Sequence, residues 1–186
     1  DAVFNFCNDT LSAVYMAAIK DRLYCDATNS ARRRRTQTVL FDIADNLLRL
    51  VAPVLVHTAD EAWLKLHGKT EEMDESIHLQ RLPEPLGLSQ DPNWALTMDI
   101  RGEALKALEH ARESGTITNP LDAGIAAVID PERFNAINEY AQELADLCGV
   151  SRFSVASGDA TQFAVSDLTE EPRCQRSWKR DGTVSE

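Results

Sequence analysis

SARRRRTQTVLFDIADNLLRLVAP, residues 30–53, decides what kind of fold this chain adopts. Leu40, Ile43, Leu47, Leu50 and Val54 recur at spacings of three and four, the period of a single buried face on an α-helix. Ser30 stands where an N-cap belongs. Pro53 lacks an amide hydrogen and crowds the carbonyl of Arg49, so the helix is predicted to kink or end there. Arg32, Arg33, Arg34 and Arg35 put four positive charges at the end of the helix where its dipole is already positive, an unfavourable term of about 0.3 kcal/mol or more each. A helix that tolerates this is expected to gain something in return, such as phosphate contacts or an intramolecular carboxylate.

On the N-terminal side, Asn8, Asp9 or Thr10 can cap a helix whose apolar positions are Leu11, Val14, Tyr15, Ala18 and Ile19, running to about Tyr24 or Cys25. DATNS, residues 26–30, then supplies turn and capping residues. An antiparallel hairpin of the two helices is expected to bring Lys20 and Arg22 beside Arg32–Arg35, with Tyr24 among them. From Lys20 to Arg35 there are six basic residues against Asp21 and Asp26, a window of +4 in a chain of net charge -11.

On the C-terminal side, Thr58 and Glu61 have the spacing of a capping box, and Gly68 lies where that helix should stop. Residues 69–92 read as connector, with Pro83, Pro85 and Pro92. Asp91-Pro92 opens a further helix with Trp94, Met98, Arg101, Leu105 and Leu108 on one face, ended by Gly115. The pattern then changes. AGIAAVID (123–130) reads as a short buried strand, and Asp130-Pro131 starts a helix with Phe134, Ile137, Ala141, Leu144 and Cys148 as its stripe, stopped by Gly149. SRFSVAS (151–157) and TQFAVSD (161–167) alternate as strands do. The fold is therefore expected to be mainly α: a helical bundle with connector and following helix over 1–115, then a small α+β (β-α-β-β) subdomain over 116–170. The polar tail, 171–186, has no periodicity and is read as disordered.

The chain has 186 residues, 44% hydrophobic and 26% charged, enough to bury a sizeable core. No apolar run is long enough to cross a membrane and no signal peptide is present, so no membrane partner is expected. The chain lacks an initiator Met and is read as a fragment of a longer one. Cys7, Cys25, Cys148 and Cys174 form no CxxC, which fits a reduced, cytoplasmic setting. The four histidines show no metal-ligand spacing, and there is no phosphate-binding glycine loop, GxSxG, HExxH or EF-hand loop. No catalytic residue and no metal site is expected; the chemistry favours a binding module. Net acidity argues against broad affinity for nucleic acid, DNA included, but not against a local basic patch.

KDRLY (20–24), Arg32 or Arg33 with Gln37, VAP (51–53), TADEAW (58–63), ESIHLQRLP (75–83) and IRGEALKALEHAR (100–112) follow one another in an order that resembles the anticodon-binding helical domain of class I aminoacyl-tRNA synthetases of the isoleucyl type. The resemblance implies tRNA(Ile) as partner. It also implies a full-length enzyme that joins isoleucine to its tRNA with ATP through an aminoacyl-adenylate. The catalytic and editing domains of that chain would lie upstream of Asp1, and no cofactor is expected in this portion. The tRNA-contacting candidates are Lys20, Arg22, Arg32, Arg33, Arg34, Arg35 and Trp178, with Lys20 preferred because it matches a family position near the anticodon. Ion pairing between helices by Asp21, Arg22 and Arg32 stays open as an alternative, and Tyr24 is assigned to the core rather than to base stacking.

Many bacterial isoleucyl enzymes end in a zinc domain that opens Cys-x-x-Cys-Trp. Here RCQRSWK (173–179) keeps Cys174 and Trp178 but has Ser177 for the second cysteine, and no zinc is expected because serine is a poor zinc ligand. Two other readings remain: a valyl-type anticodon domain, whose family usually finishes in a coiled coil, and an acidic protein-interaction domain in which RRRR pairs with an acidic partner.

Overall fold

The first helix starts earlier than its polar residues predict. In the computed structural model, which describes residues 1–70 and 75–184, Ala2–Asn5 (α1), a π-helical stretch Phe6–Met16 and Ala17–Tyr24 (α2) follow without a break. Asn8 donates to the Asp9 carboxylate at 2.6 Å, so these two side chains bind each other instead of capping a helix. Ala31–Val51 (α3) starts and stops as expected: the Ser30 hydroxyl accepts from the Arg33 amide at 3.4 Å, and the helix ends before Pro53.

Val56–Leu66 (α4) opens on Leu55 without a side-chain cap, so the Thr58 capping box does not form and Thr58 lies inside the helix. Residues 71–74 of the predicted connector lie outside the described residues. Beyond them a 3-10 turn, Ile77–Leu79, is held by Asp60, which accepts from the Ser76 hydroxyl at 2.7 Å and the Ile77 amide at 2.8 Å. TADEAW and ESIHL, far apart in sequence, thus bind each other directly.

Pro92–Glu113 (α5) has the expected start, with Asp91 accepting from the Asn93 amide at 2.9 Å. Its buried face is not the predicted one. Thr97, Ile100, Ala104, Leu108 and Ala111 point inward, while Trp94 is exposed and stacks edge-on against Tyr140 at 5.5 Å. Small side chains on the inner face let the helix lie close to a sheet, a need that the size of apolar residues alone does not reveal.

That sheet consists of Ala123–Ile129 (β1), Arg152–Ser157 (β2) and Gln162–Asp167 (β3) in the order β2-β1-β3. β1 runs parallel to β2, with Ile125 opposite Phe153, and antiparallel to β3, with Ile125 opposite Val165. The β-α-β-β reading holds, but its helix is broken into Pro131–Ile137 (α6), a 3-10 turn at Ala141–Glu143 and Leu144–Cys148 (α7). The predicted stripe survives the break: Ile137, Leu144 and Cys148 are buried. Gly149, at φ +69°, ends α7 in the left-handed region where a Cβ is strained. Asp130 caps α6 by accepting from the Arg133 amide at 3.0 Å. Asp130→Ala is expected to cost about 1 kcal/mol, read as a lower midpoint in urea unfolding with unchanged slope.

The chain gathers into two compact units, Asp1–Cys25 with Gln90–Glu186, and Asp26–Ser89. The core of the first is Ala104, Leu108, Ile125, Cys148 and Val150, continued by Ile100, Ile129, Ile137 and Leu144. The second is built around Ala52, Ala59, Trp63, Leu64 and Ile77, with Leu48 and Val51 against them. The α3 stripe is rotated from the predicted one. Leu50 and Val54 are 52% and 81% exposed, because α3 meets α4 through Leu48, Val51 and Ala52. Among the described residues no helix is long and apolar enough to cross a membrane.

Candidate nucleic-acid interface

Helix α2 sorts its side chains by direction. Ala18 and Ile19 are buried, Lys20 and Tyr24 are exposed, and Asp21 and Arg22 meet charged partners. Arg22 is ion-paired with Glu143 and, at 3.3 Å, with Asp146, both at the start of or within α7. Its side chain is 14% exposed and its guanidinium is held by these two carboxylates. Tyr24 is 66% exposed and does not belong to the core. With Ala18 and Ile19 filling the inward positions, the turn that carries Tyr24 faces out.

The tail is ordered by charge. Arg180 donates to Asp122 at 2.7 Å, its amide donates to the Ser151 hydroxyl at 2.7 Å, and its carbonyl accepts from Arg152 at 3.1 Å. Arg152 also pairs with Glu171. Lys179 sits between Asp146 at 2.6 Å and Asp21 at 3.2 Å. Burial works against its charge, but the two carboxylates outweigh burial and raise its pKa. The segment read as disordered is therefore a packed loop over its described part, because Arg152, Lys179 and Arg180 find carboxylate or backbone partners.

Between Cys174 and Lys179 that loop closes on itself. The Trp178 amide donates to the Cys174 carbonyl and the Cys174 amide to the Lys179 carbonyl, both at 2.9 Å. Trp178 has φ +65°, the one non-glycine residue at positive φ among the described residues, and its ring is 56% exposed with Arg173 5.5 Å from its centre. Lys20, Tyr24, Arg176 and Trp178 line one cavity of about 320 Å³, whose floor includes Asp21, Asp146 and Lys179. Sequence reasoning reached Lys20 and Trp178 but missed Tyr24, and it had no signal for Glu143 or Asp146, more than a hundred residues from Arg22.

Zinc can be tested against the donors present. Ser177 and the backbone amides of Ser177 and Arg176 beside the Cys174 thiol lower its pKa. Among the described residues no group of three or more His, Cys, Asp or Glu side chains converges. Cys174 with Ser177 supplies one thiolate, and serine is a poor zinc ligand.

The arginine run belongs to the Asp26–Ser89 unit, Lys20 and Arg22 to the other, so the sequence island is divided between them. Arg32 donates to the Asp26 carboxylate at 3.1 Å and 3.2 Å, and Arg33 donates to the Asp26 carbonyl at 3.0 Å. These bonds close the turn before α3. Arg34 and Arg35 are exposed and meet no carboxylate among the described residues.

Exposed rings beside an ammonium group suit a single-stranded nucleic acid, since every base has a face to stack and every nucleotide a phosphate. Residues 1–128 match the family described as the anticodon-binding domain of tRNA ligase, and the chain belongs to that family. Among its relatives, the isoleucine–tRNA ligase of Brevibacillus brevis is 39% identical over 170 residues, covering 88% of this chain and 18% of the relative. Those of Desulfotalea psychrophila and Laribacter hongkongensis are 35% and 34% identical, over 97% and 100% of this chain and 21% and 19% of theirs. The chain thus spans about a fifth of the length of these curated relatives.

Proposed function

We propose that this chain is the part of an isoleucine–tRNA ligase that holds the anticodon stem-loop of tRNA(Ile). The observation that carries the reading is the meeting of Lys20, Tyr24 and Trp178 around one cavity. Tyr24 and Trp178 offer stacking surfaces to unpaired anticodon-loop bases, and Lys20 contacts a phosphate. Arg34 and Arg35 make further phosphate contacts, while Arg22, Arg32 and Arg33 hold the frame through Glu143, Asp146 and Asp26. The relatives' shared name, isoleucine–tRNA ligase, supports the amino acid. Activation of isoleucine with ATP, transfer to tRNA and editing belong to other parts of the full-length, cytoplasmic enzyme, and this portion works without zinc.

Lys20→Ala in the full-length chain is expected to weaken tRNA(Ile) binding about equally for native and altered anticodons, and to lower the slope of log K against log salt by about one. Arg22→Met is expected to lower thermal stability and leave that slope unchanged. If Lys20→Ala leaves both affinity and slope unchanged, Lys20 is not a phosphate contact.

A further inference from the structure

Lys179 has the composition of a phosphate contact: it follows Trp178, it is basic, and it borders the cavity. Its surroundings assign it another task. The side chain is 13% exposed, and its ammonium group lies between the carboxylates of Asp146 on α7 and Asp21 on α2. Its carbonyl accepts the Cys174 amide that closes the loop. The residue before it, Trp178, holds a left-handed backbone that a bulky L side chain adopts only where its surroundings over-determine it. The fixed points on either side are the Cys174–Trp178 hydrogen bond and the Lys179 clamp; beyond them Arg180 ties the chain to Asp122 and Ser151.

We propose that Lys179 is a positioning residue, which by clamping the loop to Asp21 and Asp146 sets the Trp178 ring against the cavity that Lys20 and Tyr24 also line, where a nucleobase of the anticodon loop stacks. This inference rests on the cavity being the RNA site proposed above.

A double-mutant cycle in the full-length chain, with tRNA(Ile) as the probe, tests it. Lys179→Met is expected to weaken binding on the order of 10-fold, and to add no further loss in a chain that already carries Trp178→Ala, because the lysine acts through the ring. The salt slope stays unchanged, and Lys179→Arg recovers most of the affinity. Asp21→Asn removes one clamp partner and is expected to act in the same direction with the same non-additivity, which keeps the test valid if Lys179→Met fails to fold.

Additive losses with a slope lowered by about one make Lys179 a direct phosphate contact and overturn the proposal. So does an unchanged affinity in both Lys179→Met and Asp21→Asn while Trp178→Ala weakens binding. If Trp178→Ala and Lys20→Ala both leave binding unchanged, the cavity is not the RNA site, and the functional reading falls before the positioning role is reached.

Discussion

Asp45→Ala is expected to destabilise the Asp26–Ser89 unit by about 2–3 kcal/mol, the usual range for losing hydrogen bonds to a partly buried charged group. Asp45 is only 9% exposed in the middle of α3. Its carboxylate accepts from Trp63 Nε1 at 3.0 Å, lies 2.9 Å from His67 Nε2 and pairs with Arg49. The ring of His67 in turn packs against Trp63 at 4.6 Å and Phe41 at 5.4 Å. Alanine therefore strands the Trp63 indole N–H, leaves Arg49 with only Asn46 at 3.3 Å and the Arg81 carbonyl at 3.4 Å, and loosens the packing of α3 on α4. Asn at this position keeps one acceptor and should cost less.

Burial pushes the Asp45 carboxyl up, but hydrogen bonds from His67 and Arg49, the Arg49 charge and the Trp63 bond prevail and lower its pKa. A lowered folded-state value means that the unfolded chain binds the proton more readily. The contribution of Asp45 is thus complete above the ordinary carboxylate range and is lost as pH falls below about 4. Urea unfolding of the wild-type and Asp45→Ala chains should differ most near neutral pH and converge in acid.

Trp178→Ala is expected to weaken tRNA(Ile) binding by about 5- to 150-fold, the range spanned by the loss of one base–aromatic stack. The same substitution should barely change the unfolding midpoint. The ring is more than half exposed, the loop is held by Lys179 and Arg180 rather than by the indole, and alanine tolerates φ +65° no worse than tryptophan. Trp178→Phe keeps a stacking face and should retain most of the affinity. Equilibrium binding at one fixed salt concentration, beside thermal unfolding of the same variants, separates lost stacking from lost structure.

Local chemistry made much of the fold legible. Ser30 and Pro53 bound α3, Asp91-Pro92 and Gly115 bound α5, and the alternation in residues 151–167 marks two strands, because caps, prolines and side-chain periods act within a few residues. The inward face of α5 was not legible. Thr97, Ala104 and Ala111 are chosen by how near the sheet lies, a tertiary fact. The helix predicted through 131–148 keeps its stripe but breaks at residues 138–143, so periodicity located the buried face and not the backbone that carries it.

The candidate site divides in the same way. Lys20 and Trp178 could be found from residue type and family motif. Arg22 looked equally available for RNA, yet its partners are 121 and 124 residues away, and nothing near Arg22 in sequence announces them. The tail showed no period because ion pairs and loop hydrogen bonds hold it, and these impose none.

The most direct test of the central claim is a salt titration of the full-length chain against tRNA(Ile), beside the same tRNA with an altered anticodon. The account predicts that Trp178→Ala weakens binding of both tRNAs by about 5- to 150-fold at moderate salt, since a stacking ring accepts any base, and leaves the salt slope unchanged. Affinity for both tRNAs left unchanged by Trp178→Ala would contradict it, leaving the cavity of Lys20, Tyr24 and Trp178 with no part in holding the anticodon loop.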